Sequence, residues 1–149
     1  METERTLVAV DLENLVGGAD PSALVLDQAV QALATLQDPS NQVVVTASHH
    51  LAARAAWRLP WVRWRWRSGP DGADLALVEV LNHERVSERF AAVVVMSGDG
   101  IFAEPVAALA AAGTRTTVIS SRSALSRRLR LAAQVVIEAD GTEVFHDAA

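Results

Sequence analysis

The chain has 149 residues, enough for one domain with a substantial core, and half of them are apolar. Its apolar runs are short, as at 91–96, so they suit buried strands and fall well short of a membrane span. A net charge of −5 argues against coating nucleic acid by bulk charge but leaves room for a local basic patch, and the absence of cysteine excludes disulfides and thiolate-bound zinc. All 13 Lys and Arg residues are arginine, which excludes a Schiff-base lysine and a P-loop phosphate lysine. The opening Met-Glu-Thr-Glu-Arg is acidic and polar with no signal-peptide core behind it, so the expectation is a soluble cytoplasmic protein without a membrane partner.

Residues 6–10 form a short β-branched run ending at Asp11 and read as a buried strand. Asp20-Pro21-Ser22 starts a helix that runs to about Leu36, where Asp38-Pro39-Ser40-Asn41 breaks it. Residues 42–47 read as a second strand and 51–59 as a short helix. From 61 to 67, Val62, Trp64 and Trp66 alternate with Trp61, Arg63, Arg65 and Arg67, the pattern of a third strand. A turn-rich loop at 68–72 leads to a helix over 73–82. A fourth strand covers 91–97 and closes on Gly98-Asp99-Gly100. A helix over 103–112 ends at Gly113, a fifth strand covers 115–120, and a helix spans 123–132. Residues 135–138 suit a short sixth strand, and Asp140-Gly141-Thr142 turns into a loosely held tail.

Alternating strands and helices imply right-handed crossovers. The expected fold is a single α/β domain, with a core over about 6–138 and a tail over 139–149. It is a Rossmann-like three-layer sandwich around a mostly parallel sheet of five to six strands, in the order 3-2-1-4-5. In such sheets ligands bind beyond the carboxyl ends of the strands, where the strand order reverses. Asp11 follows the first strand and Asp99 the fourth, and Asp74 opens the helix between the third and fourth. All three then face the crevice between strands one and four. Three converging carboxylates repel one another, and a hard cation such as Mg²⁺ or Mn²⁺ neutralises them through oxygen ligands. The bland alternative is that the three are ordinary caps and turns.

Asp11-Leu12-Glu13-Asn14, Gly72-Ala73-Asp74-Leu75-Ala76-Leu77 and Ser97-Gly98-Asp99-Gly100-Ile101-Phe102 together resemble the NYN domains, PIN-like nucleases. The resemblance runs from Val8 to about Glu138. It implies a PIN-like sheet and a metal-dependent ribonuclease whose acidic centre is Asp11, Asp74 and Asp99. It also implies that Asn14 lies in the site, that Ser97 and Gly98 shape it, and that hydrolysis leaves a 5′-phosphate. Many members carry an acid two residues after the position of Asp99, where this chain has Ile101. The site thus has one carboxylate fewer, with Glu13 and Asp71 nearby, although Glu13 is expected to point away from Asp11.

Several further residues are candidates for binding substrate. His49 follows the second strand, on the same rim, with His50 beside it. Ser121 and Arg122 follow the fifth strand and open the expected helix, where free N–H groups and a guanidinium can hold phosphate. Arg63 and Arg65, with tryptophans between them, suit RNA through phosphate pairing and base stacking, and Arg54 extends the basic patch. Charged side chains also protect an edge strand, which is the structural reading of the same stretch.

The expected function is therefore a metal-dependent endoribonuclease using Mg²⁺ or Mn²⁺ on RNA, single-stranded rather than paired, with a homodimer allowed. One alternative is an RNA- or partner-binding module weakened by Ile101. Another is a metal-dependent phosphatase built on Asp11-Leu12-Glu13, disfavoured by the missing lysine.

Overall fold

The computed structural model describes residues 4–138, and the turn expected at Asp140-Gly141-Thr142 and the tail after it lie outside the described residues. Six strands form one parallel sheet: β1 Thr6–Asp11, β2 Asn41–Ala47, β3 Arg63–Trp66, β4 Ala92–Met96, β5 Arg115–Ser120 and β6 Val135–Glu138. Their order is β3-β2-β1-β4-β5-β6, so the expected order holds and the sixth strand adds beside the fifth. The order reverses between β1 and β4, which pair with Val10 opposite Met96.

The helices are α1 Leu12–Val16, α2 Ala23–Ala34, α3 His49–Ala55, α4 Gly72–His83, α5 Val86–Arg89, α6 Ala103–Ala111 and α7 Arg127–Ala132. The sheet is covered on both faces, so its strands are apolar on both sides instead of alternating with polar residues. On one face Val8, Val10, Val43 and Val45 pack with Leu26, Val30 and Leu33 of α2 and Leu51 of α3. On the other, Leu7, Ala9, Val93 and Val95 pack with Leu77 and Val80 of α4, Val106 of α6 and Leu129 of α7. Each fully buried leucine or valine contributes about 1.5–3 kcal/mol. No helix among the described residues is long and apolar enough to cross a membrane.

Helices α1 and α5 were not expected from sequence, several ends shift by one to three residues, and three of the boundary differences have a plain cause. The helix after β2 begins at His49 and not Leu51, because Ser48 takes the N-cap conformation, and it ends in a 3-10 turn at Ala56–Arg58. The third strand is shorter than 61–67, since Val62 N–H is held by the Leu59 carbonyl at 3.2 Å in a turn. The last helix starts at Arg127, because Ser126 and not Ser123 caps it, accepting from Leu129 N–H at 3.1 Å.

Candidate metal centre

Asp11 ends β1 and caps α1. Its Oδ1 accepts from the Asn14 N–H at 3.4 Å, and its carboxylate is 2% exposed. Because β4 lies beside β1, Ser97 leaves the sheet next to Asp11 and its hydroxyl donates to Asp11 Oδ2 at 3.1 Å. The same hydroxyl accepts from the Asp99 N–H at 3.2 Å. Asn14 turns its carboxamide across the crevice, and its Oδ1 accepts from the Gly98 N–H at 3.0 Å. Gly98 has no room for a side chain: a Cβ would sit 2.3 Å from the Ala124 carbonyl oxygen and 2.4 Å from Ser120 Oγ. Asp99 Oδ1 accepts from the Ile101 N–H at 3.0 Å and so starts the 3-10 turn at Gly100–Phe102. Asp74 lies in the first turn of α4. That helix can begin there because Gly72 packs against Arg67, where a Cβ would meet the carbonyl oxygen at 2.6 Å.

The three expected acids are thus brought together. Asp74 lines the same cavity as Asp11 and Asp99, and both of them act on its carboxyl. Its pKa is pushed up to about 8 by burial first, then by Asp11 and Asp99. The Asp11 carboxyl is also raised, by burial above all, against the lowering effect of its contacts with Asp74, Asn14 and Ser97. The acids open onto a rim cavity of about 380 Å³ lined by Asp11, Glu13, Asn14, Gly17, Asp74, Asp99 and Ala124. None of these residues carries a positive charge, and all the polar side chains offer oxygen. The chemistry of this donor set fits a hard divalent cation, which would be held by Asp11, Asp74 and Asp99. Among the described residues, however, no group of three or more His, Asp or Glu side chains already converges as a ligand set.

The other expected residues divide. Asn14, Ser97 and Gly98 are in the site, as polar links that hold its backbone. Ser121 and Arg122 do not form a phosphate-binding helix start. Ser121 Oγ accepts from the Ala124 N–H at 3.2 Å, and Arg122 Nε donates to Glu138 at 3.1 Å at the end of β6. Arg54 is engaged by Asp20 at 3.3 Å and by the Pro21 carbonyl at 3.0 Å, tying α3 to the start of α2. Arg63 and Arg65 are not an open basic strip. Arg63 pairs with Glu84 through both nitrogens, and Arg65 reaches Glu79 at 3.3 Å and Glu84 at 3.5 Å, because α4 lays its acidic flank along the edge strand. The Arg63–Glu84 contact holds the Glu84 carboxyl below the usual carboxylate range. His49 belongs to the first turn of α3, where its Nδ1 lies 2.6 Å from Ser68 Oγ.

Glu13 departs from its expected direction. It lines the cavity with Asp11, and its Oε1 accepts from the Ser48 N–H at 2.7 Å. Gly17, Ala124 and Ser48 were not singled out from sequence, and Arg67 was read only as part of the alternating third strand. Gly17 is the left-handed C-cap of α1, a role that the Gly17-Gly18 pair signals. Ser48 and Arg67 line a second, smaller cavity of about 120 Å³ that shares Glu13 and Asp74 with the first. No local signal marks Ser48, and only the neighbouring ends of β2 and β3 bring it beside Arg67.

No protein-family model matches the chain, and no curated protein matches it. Among solved structures it is similar to a protein of unknown function from Vibrio parahaemolyticus, with a TM-score of 0.65 and 17% identity over 95% of this chain and 98% of the other. That likeness concerns the fold.

Proposed function

We propose that the chain is a metal-dependent endoribonuclease acting on single-stranded RNA, in keeping with its resemblance to the NYN domains. The observation that carries this reading is the cluster of Asp11, Asp74 and Asp99 at the strand-order reversal, with Asp74 held up to about 8 and no cationic side chain lining the cavity. Mg²⁺ or Mn²⁺ in this cavity would make water acidic enough to attack at neutral pH and would offset the charge that grows on the phosphate. Asp11 is held by Ser97 and Asn14, so it presents a fixed oxygen to whatever binds. Asp74 is the proton-exchanging member, because burial first, and then Asp11 and Asp99, make its carboxylate form costly until a positive charge arrives. Asp99 fixes the third side through its own backbone turn. The open rim admits a polymer strand and does not enclose a small monoester.

The phosphatase reading needs Glu13 free as the acid two residues after Asp11. Its carboxylate is instead committed to the Ser48 N–H. The binding-module reading rests on Ile101, which is part-exposed beside Asp99 and adds no ligand. The test supplies purified protein with Mn²⁺ and either labelled single-stranded RNA or small phosphate monoesters. The expected result is internal RNA cuts, abolished by EDTA and by Asp74→Ala, with no monoester turnover. RNA bound but never cut would establish the binding module instead, and monoester hydrolysis alone would establish the phosphatase.

A further inference from the structure

The fold places Glu13 at the junction of two cavities. It lines the acidic cavity of about 380 Å³ and also the polar one of about 120 Å³, and Asp74 is the other residue common to both. Glu13 is held at main chain and side chain. Its carbonyl accepts from the Gly17 N–H and, at 2.9 Å, from the Gly18 N–H, while its Oε1 accepts from the Ser48 N–H at 2.7 Å. A carboxylate has lone pairs on two oxygens, so this clamp leaves Oε2 as a fixed acceptor. Arg67 lines the smaller cavity too, but its guanidinium is turned to Glu79 at 2.9 Å and does not occupy that acceptor.

The two cavities differ in what they can hold. The larger is the size of a small-ligand pocket, with room for an RNA phosphate and its cation. The smaller falls below the roughly 300 Å³ at which such pockets begin, but a buried water needs only about 10–15 Å³ and a few polar partners. Glu13, Asp71 and Asp74 supply acceptors there. Ser48 lines the same cavity, and its buried hydroxyl has no partner among the described residues, which suits it to a water.

We propose that Glu13 is a positioning residue for hydrolysis: from the junction of the cavities its Oε2 accepts from the attacking water and aims that water at a phosphate in the acidic cavity. This rests on the ribonuclease reading. In the net step the water oxygen bonds phosphorus and the bond to the 3′ oxygen breaks. One water proton ends on that oxygen and the other stays on the new 5′-phosphate. Holding a water asks only for a fixed acceptor, whereas the phosphatase role would ask Glu13 to hand over a proton.

Two substitutions test this on labelled single-stranded RNA with Mn²⁺. Glu13→Gln keeps the clamp, because only the amide oxygen can accept from the Ser48 N–H, and so puts an NH₂ donor in place of Oε2. Ser48→Pro keeps Glu13 and removes the clamp, since Ser48 has a φ of −66°, which proline adopts, and its N–H is spent on Glu13. Each should lower kcat roughly ten- to hundredfold with KM unchanged, and the double variant should be no slower than Glu13→Gln. The Mn²⁺ dissociation constant, measured by calorimetry without RNA, should stay near the wild-type value. Glu104→Gln, in the first turn of α6 and outside both cavities, should change nothing. An unchanged kcat in either folded variant overturns the assignment and leaves the nuclease reading standing. Losses that multiply in the double variant do the same, because Ser48 then acts independently of Glu13. A loss that excess Mn²⁺ restores also overturns it, because Glu13 is then a ligand. Wild-type protein that neither binds nor cuts RNA overturns both.

Discussion

Two charged clusters meet on α4, and they are built in opposite ways. At its first turn Asp74 faces Asp11 and Asp99 with no positive side chain lining the cavity. Further along, Glu79 and the neighbouring Glu84 meet Arg63, Arg65, Arg67 and Arg89 in a ladder that closes on itself. The first cluster stores repulsion that only protons or an external cation can relieve. The second satisfies its charges internally and fastens β3 to the helix. Charge density alone therefore does not single out a candidate site here, and uncompensated charge of one sign does.

The largest expected effect breaks the acidic cluster. Asp74→Ala should lower Mn²⁺-dependent RNA cleavage by roughly a hundredfold or more, since the lost charge stabilisation is worth several kcal/mol. Single-turnover kinetics on labelled RNA would show it. Removing Arg63 or Arg65 from the ladder should leave that rate alone.

Metal binding gives the next largest contrast. Mn²⁺ should raise the melting temperature, because an ion bound only by the folded state stabilises it by mass action. The double substitution Asp11→Asn with Asp99→Asn should abolish the shift, and in EDTA this variant should melt higher than wild type because the repulsion is gone. Equal shifts in the two proteins would show that the acids do not share an ion.

The clusters should also respond to pH in opposite senses. Asp74 has a folded pKa of about 8 against an ordinary 3.8, so its proton is held more tightly in the folded chain. Its contribution is full below about pH 3.8 and is lost as pH rises toward 8. The Glu84 carboxyl is lowered from 4.5, chiefly by Arg63, so its contribution is present above that value and is lost as pH falls through the folded value. Thermal melts in EDTA should show a decline toward pH 8 that Asp74→Asn flattens. Glu84→Gln should flatten the acid limb and leave the alkaline one in place. A wild-type curve that does not fall between pH 4 and 8 would refute the strained acidic cluster.

The smallest effects come from the ladder's arginines and from Ile101. Arg63→Ala and Arg65→Ala should each cost about 0–1 kcal/mol of stability, as exposed pairs do, and should leave RNA affinity and its salt dependence unchanged. A flattened salt dependence would show that the strand touches phosphate after all. Ile101 is 36% exposed, so Ile101→Asp should fold, and it should modestly increase Mn²⁺ affinity and cleavage by adding an oxygen ligand beside Asp99. No gain in a folded variant would mean that Ile101 is not what limits the site.

The sequence by itself determined the order of the strands and of the longer helices, while the short α1 and α5 went unread. Period-two and period-3.6 patterns and the Pro, Gly and Ser stops are local signals, and right-handed crossovers leave few ways to assemble them. Asp11, Asp74 and Asp99 were legible for the same reason, since each follows a strand or opens a helix on one rim. What only the tertiary structure decided were the partners of charged and polar side chains. Arg63, Arg65, Arg54 and Arg122 read alike as candidates for phosphate until Glu84, Glu79, Asp20 and Glu138 were seen to hold them. Glu13 was expected to point away from Asp11 yet lines its cavity, since its direction depends on the Ser48 N–H at the end of a neighbouring strand. Trp64 and Trp66 share one alternation pattern, yet the fold leaves the first half-buried against the core and the second exposed. Backbone periodicity is set by neighbours in the chain, whereas a long side chain takes its partner from whichever element the fold lays beside it.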